Sequence, residues 1–269
     1  MRQAASLTRP RPDDEYPSFC AGVQRLCNVD LAHYKRGQME RRVRTFAERR
    51  GKPSLLDYLA LLAADPGELD QFLDRVTINV SQLWRNPLQW QALAENVIPD
   101  LARRGRIRAW SAGCSYGAEV YTLAAICREV APRVELKVHG SDIDARMIAR
   151  ARHGCFADAD MRAVPPQSAK RWFRHTPQGW QTVPELLALA EFEVENLLEC
   201  APPPGAYDLI TCRNMVIYFI EGSRVELHRK LAGALRAGGW LMVGSTERIT
   251  DAGSYGLEPV YPFIYRKSC

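Results

Sequence analysis

The sequence has no apolar run long enough to cross a membrane. Its most apolar helical stretch, residues 55–64, is broken by Asp57 and falls well short of the roughly 20 residues a span requires. No secretory leader is expected either: Arg2, Arg9 and Arg11 stand among prolines, and no apolar core follows them. A cytoplasmic protein without membrane insertion is therefore expected. No pair of cysteines has Cys-x-x-Cys spacing. The eight lie at 20, 27, 114, 127, 155, 200, 212 and 269, and no histidine sits at ligand spacing, which argues against disulfide and zinc frameworks. The Asn79-Val80-Ser81 sequon is incidental in a cytoplasmic chain. Charge of one sign is in small excess (+5), so its distribution matters more than its size.

What is present is ordinary globular composition, 46% hydrophobic and 25% charged, in 269 residues, enough for one large domain or two modest ones. Residues 1–15, with Pro10, Pro12 and an acidic run, read as a disordered tail. Residues 16–86 read as an all-helical N-terminal domain: Phe19, Val23 and Leu26, then Met39, Val43 and Phe46, then Leu55, Tyr58 and Leu62, then Leu69, Phe72 and Val76 fall at helical spacing. Ser54 is placed to cap one helix and Pro66 to open the next. A linking helix is expected over 87–105, with Trp90, Leu93, Val97 and Leu101 on one face.

From 106 to 269 strands and helices alternate, which predicts an α/β domain around a parallel sheet, with the final strand antiparallel. Asp144 should cap a helix over 145–153, a turn is expected at 237–239, and a hairpin over 257–265. Residues 154–190 break the alternation and read as a short β insertion in which Trp172 and Trp180 serve as core or as contact residues. The stretch 35–52 carries Lys35, Arg36, Arg41, Arg42, Arg44, Arg49, Arg50 and Lys52 against Glu40 and Glu48. Such a basic face is a solvated exterior or a surface for an anionic partner. It lacks the aromatic or glycine pattern of a nucleic-acid module, so no nucleic acid is expected.

The chemistry concentrates at residues 106–121. A short strand there breaks into the small-residue turn Ser111-Ala-Gly-Cys-Ser115, and a helix follows from Gly117. This is the strand, glycine turn and helix of a nucleotide-binding α/β unit, although many such turns bind nothing. A second strand, 134–141, ends at Asp142, where an acid bonds the ribose hydroxyls of adenine-containing ligands in such folds. Glu119, in the first helical turn, would repel a pyrophosphate and suits a ligand bearing a cation, which favours S-adenosylmethionine over NAD or ATP.

Four blocks in order, Ala-Gly-Cys-Ser-Tyr-Gly-Ala-Glu-Val-Tyr-Thr (112–122), Ser-Asp-Ile-Asp (141–144), Asn-Leu-Leu (196–198) and Cys-Arg-Asn-Met-Val-Ile-Tyr-Phe (212–219), resemble the chemotaxis receptor methyltransferases, the CheR family. The resemblance runs from about Tyr16 to the C-terminus. It implies a Rossmann-like S-adenosylmethionine-dependent methyltransferase sheet with a small all-helical N-terminal domain and a short β insertion. The implied activity is protein-glutamate O-methyltransfer to chemoreceptors, with S-adenosylhomocysteine as product and no metal.

Residues 77–86, Thr-Ile-Asn-Val-Ser-Gln-Leu-Trp-Arg-Asn, resemble the family's junction motif Thr-Thr-Asn-x-Thr-x-Phe-Phe-Arg-Glu, so that Asn79, Ser81 and Arg85 match positions lining the cofactor pocket. Asn86 replaces the family's acid, and Ala118 another. The resemblance implies that Glu119 and Asp142 bind donor groups, that Asn196, Leu197, Cys212, Arg213 and Asn214 wall the pocket, and that Arg85 and Tyr218 lie nearest the chemistry. In similar proteins the basic helix, here about 35–50, faces the acidic methylation helices of receptors, a sensible use of electrostatic steering. Two rival readings stand: the same fold acting on another substrate, and a catalytically weak module that binds donor and receptor.

Overall fold

The computed structural model describes residues 14–77 and 81–268. The expected tail, apart from its last two residues, and the candidate residue Asn79 lie outside them. The chain divides into two compact units, Met1–Ile78 and Asn79–Cys269.

Among the described residues the first unit has four α-helices whose apolar stripes meet: α1 (Tyr16–Cys27), α2 (Arg36–Arg49), α3 (Leu55–Ala64) and α4 (Pro66–Val76). Phe19, Tyr58 and Phe72 form its aromatic centre, each ring within 6.3 Å of the other two. Ser54 caps α3 by accepting the Asp57 N–H, and Pro66 opens α4 behind the Asp65 cap, as the spacing predicts. Part of the basic charge of α2 and of Arg50, which follows it, is neutralised within the unit. Arg36 and Arg44 pair with Glu40, and Arg50 pairs with the buried Glu68, which also accepts the Tyr58 hydroxyl at 2.8 Å. Arg41 and Arg49 are exposed.

The second unit opens with α5 (Pro87–Ala92), a π-helical turn (Leu93–Val97) and α6 (Ile98–Ala102). The linking helix is thus interrupted: Pro99 has no N–H to give to the carbonyl four residues back, and the ladder widens in the turn before it. Trp90, Leu93, Val97 and Leu101 are all buried, as expected of one apolar face.

Next come β1 (Arg106–Ala112), α7 (Ala118–Val130), β2 (Glu135–Asp142) and α8 (Ala145–His153), whose Asp144 cap accepts the Arg146 N–H. The insertion contains β3 (Cys155–Phe156), α9 (Pro166–Trp172), β4 (Phe173–Thr176), β5 (Gly179–Thr182) and α10 (Pro184–Leu187). Its strands make a separate three-stranded sheet in the order β3-β5-β4. Trp172 is fully buried and is core, whereas Trp180 is half-buried and donates its Nε1–H to Asp158 at 2.8 Å. The chain then completes the main sheet with β6 (Ala190–Val194), β7 (Tyr207–Cys212), α11 (Glu221–Ala234), β8 (Leu235–Val243), β9 (Leu257–Tyr261) and β10 (Ile264–Lys267).

The main sheet has the order β6-β2-β1-β7-β8-β10-β9. Its first five strands are parallel, and β10 runs antiparallel between β8 and β9. The last strand is therefore antiparallel, as expected. The turn expected at 237–239 is instead a bulge inside β8: Tyr207 pairs with Leu235, Leu209 with Trp240, and the residues between loop out beside Asp208. Arg236 pairs with the Asp208 carboxylate there, and Gly239 packs so close to the Arg236 and Asp208 carbonyls that a Cβ would lie at 2.9 and 3.1 Å from them. Strand order reverses at β1, whose neighbours β2 and β7 are reached in opposite directions. A crevice outside the C-terminal strand ends is where open α/β sheets bind ligands.

Gly140 of β2 sits beneath α7, and a Cβ there would lie 2.8 Å from Val120 and 2.9 Å from the Phe192 ring. Gly140→Ala should cost about 1–3 kcal/mol by overpacking. Urea denaturation checks this, and an unchanged midpoint would show that Phe192 moves aside freely.

Candidate active site

The parallel strands deliver their C-terminal ends to one edge, and the candidate residues lie on the loops that leave them. After β1 the chain must reverse into α7 over five residues. Gly113 (φ 78°) and Gly117 (φ 85°) take left-handed backbone there, and Ser115 joins them at φ 49°. The Gly113 and Cys114 N–H groups donate to the Ser141 carbonyl at 2.8 and 2.9 Å, and Ser115 N–H donates to Asp142 Oδ2 at 2.8 Å. Asp142 Oδ1 accepts the Asp144 N–H at 3.0 Å, and its carbonyl accepts the Glu195 N–H at 2.9 Å. The acid at the tip of β2 is thus tied both to the glycine turn and to the segment carrying Asn196. Burial pushes its carboxyl above the usual range, against the lowering effect of the two amide donors.

Glu119 lies in the first turn of α7. Its Oε1 accepts the hydroxyls of Ser111 (2.9 Å) and Thr211 (2.5 Å), and its Oε2 accepts Arg213 Nη1 at 3.0 Å. The Arg213 side chain is 3% exposed, and its Nη2 donates to the Arg85 carbonyl (2.7 Å), Gln89 Oε1 (3.0 Å) and Asn86 Oδ1 (3.1 Å), with the Trp90 ring centred 4.9 Å away. This single guanidinium joins the tip of β7, the start of α7 and residues 85–90. Although the family's acid is missing at 86, the Asn86 amide oxygen still accepts from Arg213 Nη2.

The other candidates fall around this clamp. Ser81 is half-buried, and its carbonyl and Asp160 Oδ1 (2.9 Å) both lie within reach of the Tyr116 hydroxyl, which donates its single proton to one of them. Arg85 is half-buried, and its carbonyl also accepts Trp90 Nε1 at 3.0 Å. Asn196 Oδ1 accepts the Leu198 N–H, and the Leu197 and Leu198 carbonyls accept Lys230 Nζ from α11. Cys114 and Cys212 are 1% exposed, and burial holds both thiols well above their ordinary pKa, so they pack rather than react. Asn214 takes φ 58° and donates its N–H to Glu247 Oε2 at 2.8 Å. Tyr218 is half-buried at the end of the short 3₁₀ turn Val216–Tyr218, which continues from Asn214.

Sequence reasoning missed Ser111, Thr211, Tyr116, Asp160, Gln89 and Glu247. Glu247 had a legible signal, an acid three residues past Gly244 at the end of a parallel strand. It is 3% exposed and accepts the Gly244 N–H at 2.7 Å besides that of Asn214.

Removing the Arg213 guanidinium leaves Glu119 without its cation. Arg213→Ala should therefore destabilise the fold by about 3–5 kcal/mol. Arg213→Lys should not restore it, because a point charge cannot bridge the same acceptors. Chemical denaturation of both variants reads the effect, and a loss below about 1 kcal/mol would remove the pair from its structural role.

Comparison with known proteins matches residues 14–77 to the CheR methyltransferase all-alpha domain and residues 79–257 to the CheR methyltransferase SAM-binding domain. The chain is similar to the chemotaxis protein methyltransferase of Listeria innocua, 32% identical over 261 residues that cover 96% of this chain and 99% of the relative. It is also similar to the probable chemotaxis protein methyltransferase of Rhizobium etli, at 30% over 229 residues (80% and 85% of the two chains). A third relative is chemotaxis protein methyltransferase 1 of Pseudomonas aeruginosa, at 25% over 249 residues (88% and 91%). With both domain types matched in order and the strand tips built as described, the chain belongs to the CheR family of S-adenosylmethionine-dependent methyltransferases.

Proposed function

We propose that this chain esterifies glutamate side chains of methyl-accepting chemoreceptors, as the names of its relatives and the chemistry of its strand tips together favour. The observation that carries the reading is the set of groups at those tips. Residues 112–117, 141–144, 195–198 and 212–218 supply carboxylates, amides and buried thiols, and no histidine. A glutamate acceptor fits such a site because it is ionised at neutral pH, with a pKa of about 4.3. Its oxygen already offers the lone pair, so the chain has no proton to remove and its task is placement.

The residues present fit S-adenosylmethionine. Gly113 lets the turn pass close beneath the Met215 side chain, whose Sδ a Cβ would meet at 2.8 Å. The Asp142 carboxylate, fixed by two backbone amides, retains lone pairs for the ribose hydroxyls. The Glu119 carboxylate is already paired with Arg213 and accepts two hydroxyls, so at 12% exposure it would meet the donor only through a remaining lone pair. Asn79 and Ser81 would line the pocket, with Asn196 and Leu197 at the adenine edge. Because the Arg213 guanidinium is engaged by protein acceptors, Cys212, Arg213 and Asn214 would wall the pocket chiefly with backbone. When bound, S-adenosylmethionine supplies an electrophilic methyl group on a sulfonium. Arg85 would hold a carboxylate of substrate or donor through its guanidinium, and the Tyr218 hydroxyl would bond the attacking carboxylate. Receptor recognition would draw on α2, where Arg41 and Arg49 are exposed beyond the internal pairs of Arg36, Arg44 and Arg50.

Radiolabelled methyl transfer to receptor cytoplasmic fragments tests the reaction, and the expected product is base-labile label on glutamate. Asp142→Ala should weaken S-adenosylmethionine binding about 100-fold, the scale of two lost charge-assisted hydrogen bonds. Unchanged affinity by calorimetry would refute the ribose role. With its carboxyl raised by burial, wild-type affinity should be full above that raised pKa and be lost as pH falls through it, earlier than an ordinary aspartate would allow. Arg85→Ala should abolish turnover with an unchanged unfolding curve; near-normal activity would remove Arg85 from the site.

A further inference from the structure

Beyond the strand tips, α11 and the loop after β8 enclose a cleft of about 400 Å³. Two pieces of chain connect its wall to the strand tips. Val216 and Ile217, which lead directly to Tyr218, form one part of its wall. Glu247 forms another, and the same carboxylate accepts the N–H groups of Asn214 and Gly244. Tyr218 lies between Ile217 and Glu221, both of which line this cleft, so a substrate segment with one carboxylate beside Tyr218 passes next to its wall.

The charges of the lining are unequally engaged. Arg224 is paired with Glu221 one turn before it on α11. Glu247 is 3% exposed and held by backbone amides, and burial raises its carboxyl toward the neutral form. His228, at 6% exposure, is kept neutral by burial and by the neighbouring Arg224. Arg229 and Arg248 remain: both line the cleft, both are exposed, and neither makes a salt bridge with a described carboxylate. Asp251, also exposed, is the rim carboxylate that opposes them.

Two unpaired guanidiniums in a cleft whose wall is connected to the strand tips call for an anionic occupant. The occupant that chemistry supplies there is the substrate itself. We propose that Arg229 and Arg248 form an acidic-substrate subsite, binding a carboxylate that flanks the methyl-accepting glutamate and so selecting acidic segments over isolated glutamates. This rests on the glutamate reading above. Both arginines act on substrate binding, not on the methyl-transfer step, so the effect belongs in KM. The interaction is between exposed charges and fades with salt.

The test is steady-state methylation of an acidic receptor fragment by the full chain at low and high ionic strength. The Arg229→Ala/Arg248→Ala variant should raise KM about tenfold at low salt, the scale of one or two exposed charge pairs, with kcat and the calorimetric affinity for S-adenosylmethionine unchanged. Asp251→Asn, which keeps a side chain tolerant of the left-handed backbone at φ 52°, should shift KM the opposite way by about twofold. Replacing the flanking acids of the fragment with glutamine should erase the difference between wild type and the double variant. If wild type places base-labile label on glutamate and KM stays the same in the double variant, the subsite is overturned while the glutamate reading stands. If wild type makes no glutamyl ester, that reading falls and the subsite with it. A KM rise that persists with the glutamine fragment, or equal inhibition of both proteins by inorganic phosphate, would show a general anion effect and overturn the proposal.

Discussion

The buried ion pair between Arg213 and Glu119 is the constraint on which the strand tips depend. Taking two charges out of water is costly, and their mutual attraction offsets that cost only where the remaining donors and acceptors are also satisfied. Here Glu119 receives two hydroxyls as well as the guanidinium, and Arg213 reaches three acceptors on residues 85–89, although its buried Nε has no partner among the described residues. The acceptors come from a helix start, a strand tip and a segment far away in sequence, so no part of the cluster can shift without exposing an unpaired group. The pair therefore fixes geometry more than it adds stability. This is what a methyl transfer that relies on placement requires.

The backbone strain around the cluster follows from the same constraint. Trp84, Asn86, Ser115 and Asn214 all have positive φ without being glycine. Left-handed backbone costs a side-chain-bearing residue about 1–2 kcal/mol. Each persists because its surroundings over-determine it. Trp84 N–H donates to Thr122, Ser115 N–H to Asp142 and Asn214 N–H to Glu247, while the Asn86 side chain accepts from Arg213. Two of these anchors, Asp142 and Glu247, are buried carboxylates whose pKa is raised. The protein holds charge in poor solvent in order to hold a turn in place.

Much of this was legible in the chain. The helix over 145–153 and its Asp144 cap, the Ser54 cap, the glycine turn, the acid ending β2 and the closing antiparallel hairpin all follow from local rules, because period, cap chemistry and turn residues act over a few positions. The misses have a common cause. Glu119 meets Thr211 and Arg213 across 92 and 94 residues of sequence, and Tyr116 meets Asp160 across 44, separations at which no periodicity carries information. The Gly238-Gly239 pair marked a departure from regular backbone, but whether that departure is a turn or a bulge depended on Asp208 in the adjacent strand.

The sequence by itself determined the element order, the two types of domain and the loops on which chemistry could sit, because hydrophobic period and strand-end residues are local properties of the chain. Tertiary structure alone decided the duties of the charges on those loops. Arg213 and Arg85 are both arginines near a motif, yet one is buried as a clamp and the other only half-buried beside it. Arg224 and Arg248 are likewise indistinguishable as letters, but one has a glutamate a helical turn away and the other has none. Solvation and distance separate these roles, and neither exists until the chain has folded.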